Sequence, residues 1–78
     1  MSDKEEITTV DARGYACPEP VMLARSALLR NKGKPVRVLV DTMTARDNVS
    51  RLAVREGLDS SSTEHDGGFA VTFRPKGA

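Results

Sequence analysis

The sequence contains few of the residues on which several common kinds of functional site depend. Its 78 residues include one cysteine and one histidine. A single cysteine excludes an internal disulfide, and the pair is too few to supply the four ligands of a structural zinc site. A self-contained disulfide oxidoreductase is also excluded, because it needs a second, resolving cysteine. We therefore expect neither a metal nor a cofactor.

The sequence also lacks a charge excess and a long hydrophobic run. Twelve Lys and Arg oppose eleven Asp and Glu, a net charge of +1, which argues against a dedicated nucleic-acid binder. The longest apolar run, residues 21–24, is far shorter than the roughly 20 residues that span a bilayer. Residues 1–6 are too acidic for a secretory signal. These features predict a cytoplasmic protein with no membrane partner and no direct nucleic-acid binding.

The chain length predicts one small domain, residues 1–78, with residues 1–5 as a disordered tail. Hydrophobic periodicity and turn residues then predict six elements. These are strands at 7–11, 36–40, 60–65 and 69–73, and helices at 18–31 and from about 44 to 57. A capping box of Thr44 and Asp47 is expected to begin the second helix, and Asp66-Gly67-Gly68 to form the hairpin turn.

The β-α-β-α-β-β order predicts an α/β (α+β) two-layer sandwich. Strands joined through a helix are expected to be parallel, and the terminal hairpin adds an antiparallel pair. The result is a mixed four-stranded sheet with both helices on one face. Val36–Val40 has apolar residues on both faces, which predicts a strand inside the sheet, and the serine-rich strand is expected at an edge.

Cys17 is the candidate reactive group, since it immediately precedes the predicted first helix. As the N-cap residue it would lie beside the partial positive charge of the helix end, which lowers a thiol pKa. Pro18 and Pro20 stiffen this turn and leave the N–H groups of Glu19 and Val21 as candidate donors to the sulfur. The alternative is a small buried hydrophobic side chain, and the residues alone leave both interpretations open.

Charged residues near Cys17 are expected to have opposite effects on the stability of a thiolate. Arg13 is expected to add positive charge, and Glu19 would oppose a thiolate unless it points to solvent. Gly14 is the expected site of a positive φ. Because parallel strands share their carboxyl edge, Asp41 and Thr44 are expected beside the Cys17 loop, although roles as strand end and helix cap explain them without a function and are favoured.

Other polar groups have simpler interpretations. His65 lies in the polar edge strand and is expected to be solvated, so a Cys–His hydrolase pair is not expected. The first helix and its exit are basic, at Arg25, Arg30, Lys32 and Lys34. A solvated face is the favoured explanation over a phosphate site, and a docking patch for an acidic partner stays open.

The segment from Asp11 to Met22, with Cys-Pro-x-Pro at residues 17–20 and Arg13 and Gly14 before it, resembles the signature of the TusA (SirA-like) family of small sulfur carriers. The resemblance covers roughly residues 6–75. Residues 41–53 also resemble the TusA-like domain of YedF-type proteins of selenium metabolism, although the second domain of such proteins is not expected in a sequence of 78 residues.

The resemblance implies a persulfide relay centred on Cys17. A cysteine desulfurase or rhodanese-like protein would donate sulfane sulfur, and an acceptor protein would receive it for tRNA thiolation, molybdenum-cofactor formation or related sulfur metabolism. Arg13, Pro18 and Pro20 match motif positions that shape and present the cysteine, and Glu19 occupies the variable position.

Two other classes of function remain open from the sequence. One is a regulatory or protein-interaction domain in which Cys17 is structural. The other is an RNA-binding module, which the charge balance and the small number of aromatic residues disfavour. A monomer is expected, with Leu39 and Met43 as candidates for an open sheet face or a partner contact.

Overall fold

The computed structural model describes residues 7–16 and 18–76, and these form six elements in the predicted β-α-β-α-β-β order. The predicted tail, residues 1–5, lies outside the described residues. The elements are β1 (Thr8–Asp11), α1 (Glu19–Arg30), β2 (Val36–Val40), α2 (Met43–Glu56), β3 (Leu58–His65) and β4 (Gly68–Pro75). None of the described helices is both long and apolar enough to cross a membrane.

The four strands form one mixed sheet in the order β1-β2-β4-β3. β1 and β2 are parallel, and β4 pairs antiparallel with both β2 and β3. The predicted mixed sheet is therefore confirmed, with β2 inside it and the exposed, serine-rich β3 at one edge.

The core lies between the sheet and the two helices, on one face of the sheet. The side chains at positions 36, 38 and 40 of β2 and 71 and 73 of β4 are fully buried. The helices cover them with small and branched residues, namely Ala24, Ala27, Ala45, Val49, Leu52 and Ala53. This alternation along the strands and the helical spacing of the apolar residues produce the predicted two-layer packing.

The first helix begins one residue later than predicted. Pro18 is its N-cap and Glu19 its first residue, so Cys17 precedes the cap in sequence and does not occupy it. Pro20, in contrast, is buried and packs into the core at the first turn. The helix ends at Arg30, with Asn31 as its C-cap.

The second helix is capped by Thr42, and the predicted capping box at Thr44 is wrong. The Thr42 hydroxyl accepts a hydrogen bond of 3.0 Å from the Ala45 N–H, and α2 starts at Met43. Thr44 is an exposed residue of the first turn. The helix ends at the predicted Gly57.

The hairpin between β3 and β4 turns on Asp66 and Gly67, which both have positive φ, as a two-residue loop of this kind requires. Gly68, predicted as part of the turn, is instead the first residue of β4, where it pairs with His65.

Candidate functional site

The carboxyl ends of β1 and β2 meet at one edge of the sheet and hold the loop that follows β1. The Ala12 N–H donates to the Leu39 carbonyl at 2.8 Å, which extends the parallel ladder by one residue. Beyond it, the Gly14 N–H donates to the Asp41 carboxylate at 2.9 Å. Gly14 has the predicted positive φ, 85°. The end of β2 thus anchors this loop through a charged acceptor.

Arg13 and Asp11 form a two-pronged ion pair within the same loop. Arg13 Nε and Nη2 lie 2.9 and 2.8 Å from the two carboxylate oxygens of Asp11, and the Arg13 backbone N–H also donates to that carboxylate. These hydrogen bonds lower the pKa of Asp11 to about 2 and raise the pKa of Arg13. The charge of Arg13 is therefore largely balanced by Asp11, so its predicted contribution of free positive charge is reduced.

Cys17 itself lies outside the described residues, but the residues on either side of it are bound to one another. The Glu19 N–H donates to the Ala16 carbonyl at 2.9 Å, and the Met22 N–H donates to the Pro18 carbonyl at 3.1 Å. The sequence Ala16-Cys17-Pro18-Glu19 is thus closed by a backbone hydrogen bond. The Glu19 N–H, predicted as a donor to the sulfur, donates to this carbonyl.

The remaining predicted site residues serve different parts of the edge. The Glu19 side chain is exposed, as is Pro18, whereas Pro20 anchors the start of α1 in the core. Asp41 contacts the loop through Gly14, while Thr44 is exposed and forms no hydrogen bond with the described residues of the loop.

Gly68 is a determinant of this edge that the sequence analysis missed. A Cβ atom at Gly68 would collide with the Val40 carbonyl oxygen and lie 2.9 Å from Asp41 Cα. Gly68 therefore allows the first residue of β4 to lie directly against the backbone of Val40 and Asp41 at the end of β2. The second glycine of the Asp-Gly-Gly sequence was the available signal. The need for a glycine there becomes evident only when β2 is known to lie beside β4.

His65 lies at the end of β3, and β4 and β2 separate it from β1 in the sheet. Three strand spacings amount to about 14 Å, so the strand order does not bring His65 beside β1. Its side chain is 43% exposed, with Nε2 3.5 Å from Asp66 Oδ2, in agreement with the predicted solvated histidine. Among residues 7–16 and 18–76, no group of three or more His, Asp or Glu side chains is placed to hold a metal ion.

Comparison with known proteins assigns this arrangement to a class. The family model for the sulfurtransferase TusA matches residues 8–74, which include all six elements except the last residue of β4. The crystal structure of the SirA-like protein from Desulfitobacterium hafniense is similar, with a TM-score of 0.78 and 38% identity. The match covers 87% of this chain and 95% of that one. No curated protein matches the sequence.

The class is that of small α+β domains with the SirA-like fold. Within that class, the chain belongs to the TusA sulfurtransferase family. Family membership indicates a sulfur-carrier role, in which the protein works between a donor and an acceptor protein.

Proposed function

We propose that this protein carries sulfane sulfur as a persulfide on Cys17. The observation that carries the proposal is the construction of the described residues around Cys17. On one side the loop is anchored through Gly14 and Asp41, and on the other side Pro20 fixes the start of α1 in the core. A backbone hydrogen bond joins Ala16 to Glu19 across the intervening Cys17-Pro18. The described residues on both flanks of the cysteine are thereby held in place, which supports Cys17 as the carrier group.

The proposed transfer needs no metal, oxidant or cofactor. The Cys17 thiolate attacks the terminal sulfur of a persulfide on the donor protein. A new S–S bond forms at Cys17, the donor's S–S bond breaks, and the donor cysteine leaves as a thiolate. In the second transfer Cys17 is the donor: an acceptor thiolate attacks the terminal sulfur of the Cys17 persulfide, and Cys17 leaves as a thiolate. The total oxidation state of the sulfur atoms does not change in either step.

The residues around Cys17 also suit a carrier better than a hydrolase. A hydrolytic cysteine needs a base within hydrogen-bond reach, and the single histidine belongs to the far edge strand. A carrier needs no base of its own, since the donor and acceptor proteins complete the chemistry. We propose a cysteine desulfurase or a rhodanese-like protein as the donor. The acceptor would act in tRNA thiolation, in molybdenum-cofactor formation or in related sulfur or selenium metabolism, in the cytoplasm.

The test is the intact mass of the protein after incubation with a cysteine desulfurase and cysteine, or with a rhodanese and thiosulfate. We expect wild type to gain one sulfur atom that a reductant removes. Cys17→Ser should gain none while unfolding at the same urea concentration. A matched control, Cys17→Ser with Ser61→Cys, moves the only thiol to exposed β3 and should load poorly.

Two results would overturn the proposal. One is equal loading of the relocated thiol, which would show that the surroundings of Cys17 do not matter. The other has two parts: iodoacetamide modifies Cys17 only when urea has unfolded the protein, and Cys17→Ser is less stable than wild type. That pair of results would identify a structural cysteine in a regulatory or interaction domain.

A further inference from the structure

An open cavity lies at the amino end of β2, at the opposite end of this strand from Asp41. Its volume is about 150 Å³. It is bordered by the last turns of α1, the end of α2, the start of β3 and the end of β4. Its apolar lining comes from Leu28, Leu29, Leu58, Phe73 and Pro75. Leu29 is more than half exposed there, so apolar surface remains accessible to solvent.

The size of the cavity indicates what kind of group it can hold. A volume of this order accommodates a benzene-sized group. Pockets for drug-sized ligands and cofactors are several times larger, at roughly 300 to 1,000 Å³. A single apolar side chain from another protein therefore suits the cavity better than a whole small-molecule cofactor.

The charges around the cavity are strongly unequal. Four cationic side chains border it, Arg25, Lys32, Lys34 and Arg74, against one carboxylate, Glu56. None of these four cations forms a salt bridge with any residue in the described part of the chain. Elsewhere the described arginines Arg13 and Arg46 each bind an aspartate. The cavity rim is thus complementary to a partner that carries several carboxylates.

One wall of the cavity is held in place by hydrogen bonds before anything binds. Thr8 Oγ1 donates to Asn31 Oδ1 at 3.1 Å, and Asn31 Nδ2 donates to the Ala27 carbonyl at 2.8 Å. The Lys34 N–H donates to the Asn31 carbonyl at 3.0 Å, which fixes the basic loop against this wall. A preformed wall reduces the entropy lost on binding.

We propose that this cavity docks an acidic segment of a partner protein, which inserts one apolar side chain and places carboxylates against the basic rim. The rim charges attract and orient the segment, and the apolar side chain supplies the anchor. The proposal does not depend on the chemistry of Cys17, and its test contains no sulfur transfer.

The test is a titration of the full chain, labelled with ¹⁵N, with an acidic pentapeptide that has phenylalanine at its centre. We expect saturable shifts of the Leu58, Lys34 and Arg74 amides that weaken with added salt, since salt screens exposed charges. The same peptide with central alanine should bind about tenfold more weakly because the anchor is lost. A basic pentapeptide with central phenylalanine should not bind.

Rim variants connect the binding to this cavity. Lys34→Glu and Arg74→Glu should each weaken the acidic peptide about tenfold, and Glu56→Lys should tighten its binding. Arg51→Glu, an exposed change on α2 that does not border the cavity, is the matched control and should leave the affinity within about twofold.

Three outcomes would overturn the proposal. Equal weakening by Arg51→Glu and Lys34→Glu would show that only the overall charge of the protein is sensed. Tighter binding of a short oligouridylate at the same amides would assign the rim to nucleic acid. A large gain in peptide affinity on changing Glu5 and Glu6 to glutamine would make this chain's own acidic end the occupant.

Discussion

At the carboxyl ends of β1 and β2 the charged side chains bind groups of the protein itself, whereas at the amino end of β2 the cations that border the cavity have no acidic partner among the described residues. Arg13 is paired with Asp11, and Asp41 accepts the Gly14 N–H, so these charges hold a loop in place. At the cavity end, Lys34 and Arg74 have no acidic partner among the described residues. One end therefore uses its charges to position its own loop, and the charges of the other end are available to the acidic partner that we propose.

The largest expected effect comes from the close backbone contact between Gly68 and the end of β2. Gly68→Ala should lower the free energy of unfolding by about 3 kcal/mol, since the new Cβ collides with the Val40 carbonyl and forces the strands apart. The matched change at the cavity end is Gly33→Ala. That position has open space around it but a φ of 78°, so the expected loss is about 1 kcal/mol. Urea unfolding curves measure both, and equal losses would contradict the difference between the two ends.

The next effect concerns the anchor of the loop before Cys17. Asp41→Ala removes the acceptor of the Gly14 N–H and should cost about 1 kcal/mol of stability. Hydrogen exchange of the Gly14 amide should accelerate about tenfold as a result, because its acceptor is lost. Asp41→Asn keeps an oxygen acceptor and serves as the control. An unchanged Gly14 exchange rate in Asp41→Ala would show that Asp41 does not anchor the loop.

A smaller effect tests the ion pair through its pH dependence. The pKa of Asp11 is lowered to about 2, chiefly by the side-chain hydrogen bonds from Arg13. A depressed pKa in the folded state means that the pair stabilises the protein above pH ~3.9, the value in an unfolded chain, and loses this contribution as the pH falls towards 2.

Carboxyl ¹³C titration measures this pKa directly. In Arg13→Ala the pKa of Asp11 should rise towards ~3.9. Arg13→Lys keeps the charge without the two-pronged geometry and should give an intermediate pKa. If Asp11 in wild type titrates near ~3.9, the pair does not persist in solution.

The smallest effect on stability is expected at the cavity rim. Lys34→Glu changes an exposed side chain that lacks a described acidic partner, so the free energy of unfolding should stay within about 0.5 kcal/mol of wild type. Sulfur loading of Cys17 should also stay unchanged, since the cavity lies at the opposite end of β2 from the Cys17 loop. A loss of loading in Lys34→Glu under the same desulfurase assay would show that both ends take part in one docking event.

Local patterns were sufficient to predict the elements that are determined by residues a few positions apart in the sequence. The alternating valines of β2 and the helical spacing of Val49, Leu52 and Ala53 predicted strand, helix and buried face correctly. Local patterns failed where two nearby residues were equally suitable. Thr42 and Thr44 are both good N-cap residues, and Thr42 is used because the chain leaves β2 at Asp41 and turns immediately into the helix.

The motif around Cys17 and the order of the elements were properties of the sequence by itself, since each depends on neighbours along the chain. The tertiary structure alone decided that Gly68 must lie against the Val40 carbonyl, and that Arg25 and Arg74 border one cavity. Those contacts depend on the strand order β1-β2-β4-β3, which brings together residues that are distant in sequence. The physical reason is that steric fit and charge pairing act over a few ångströms in space, whatever the separation along the chain.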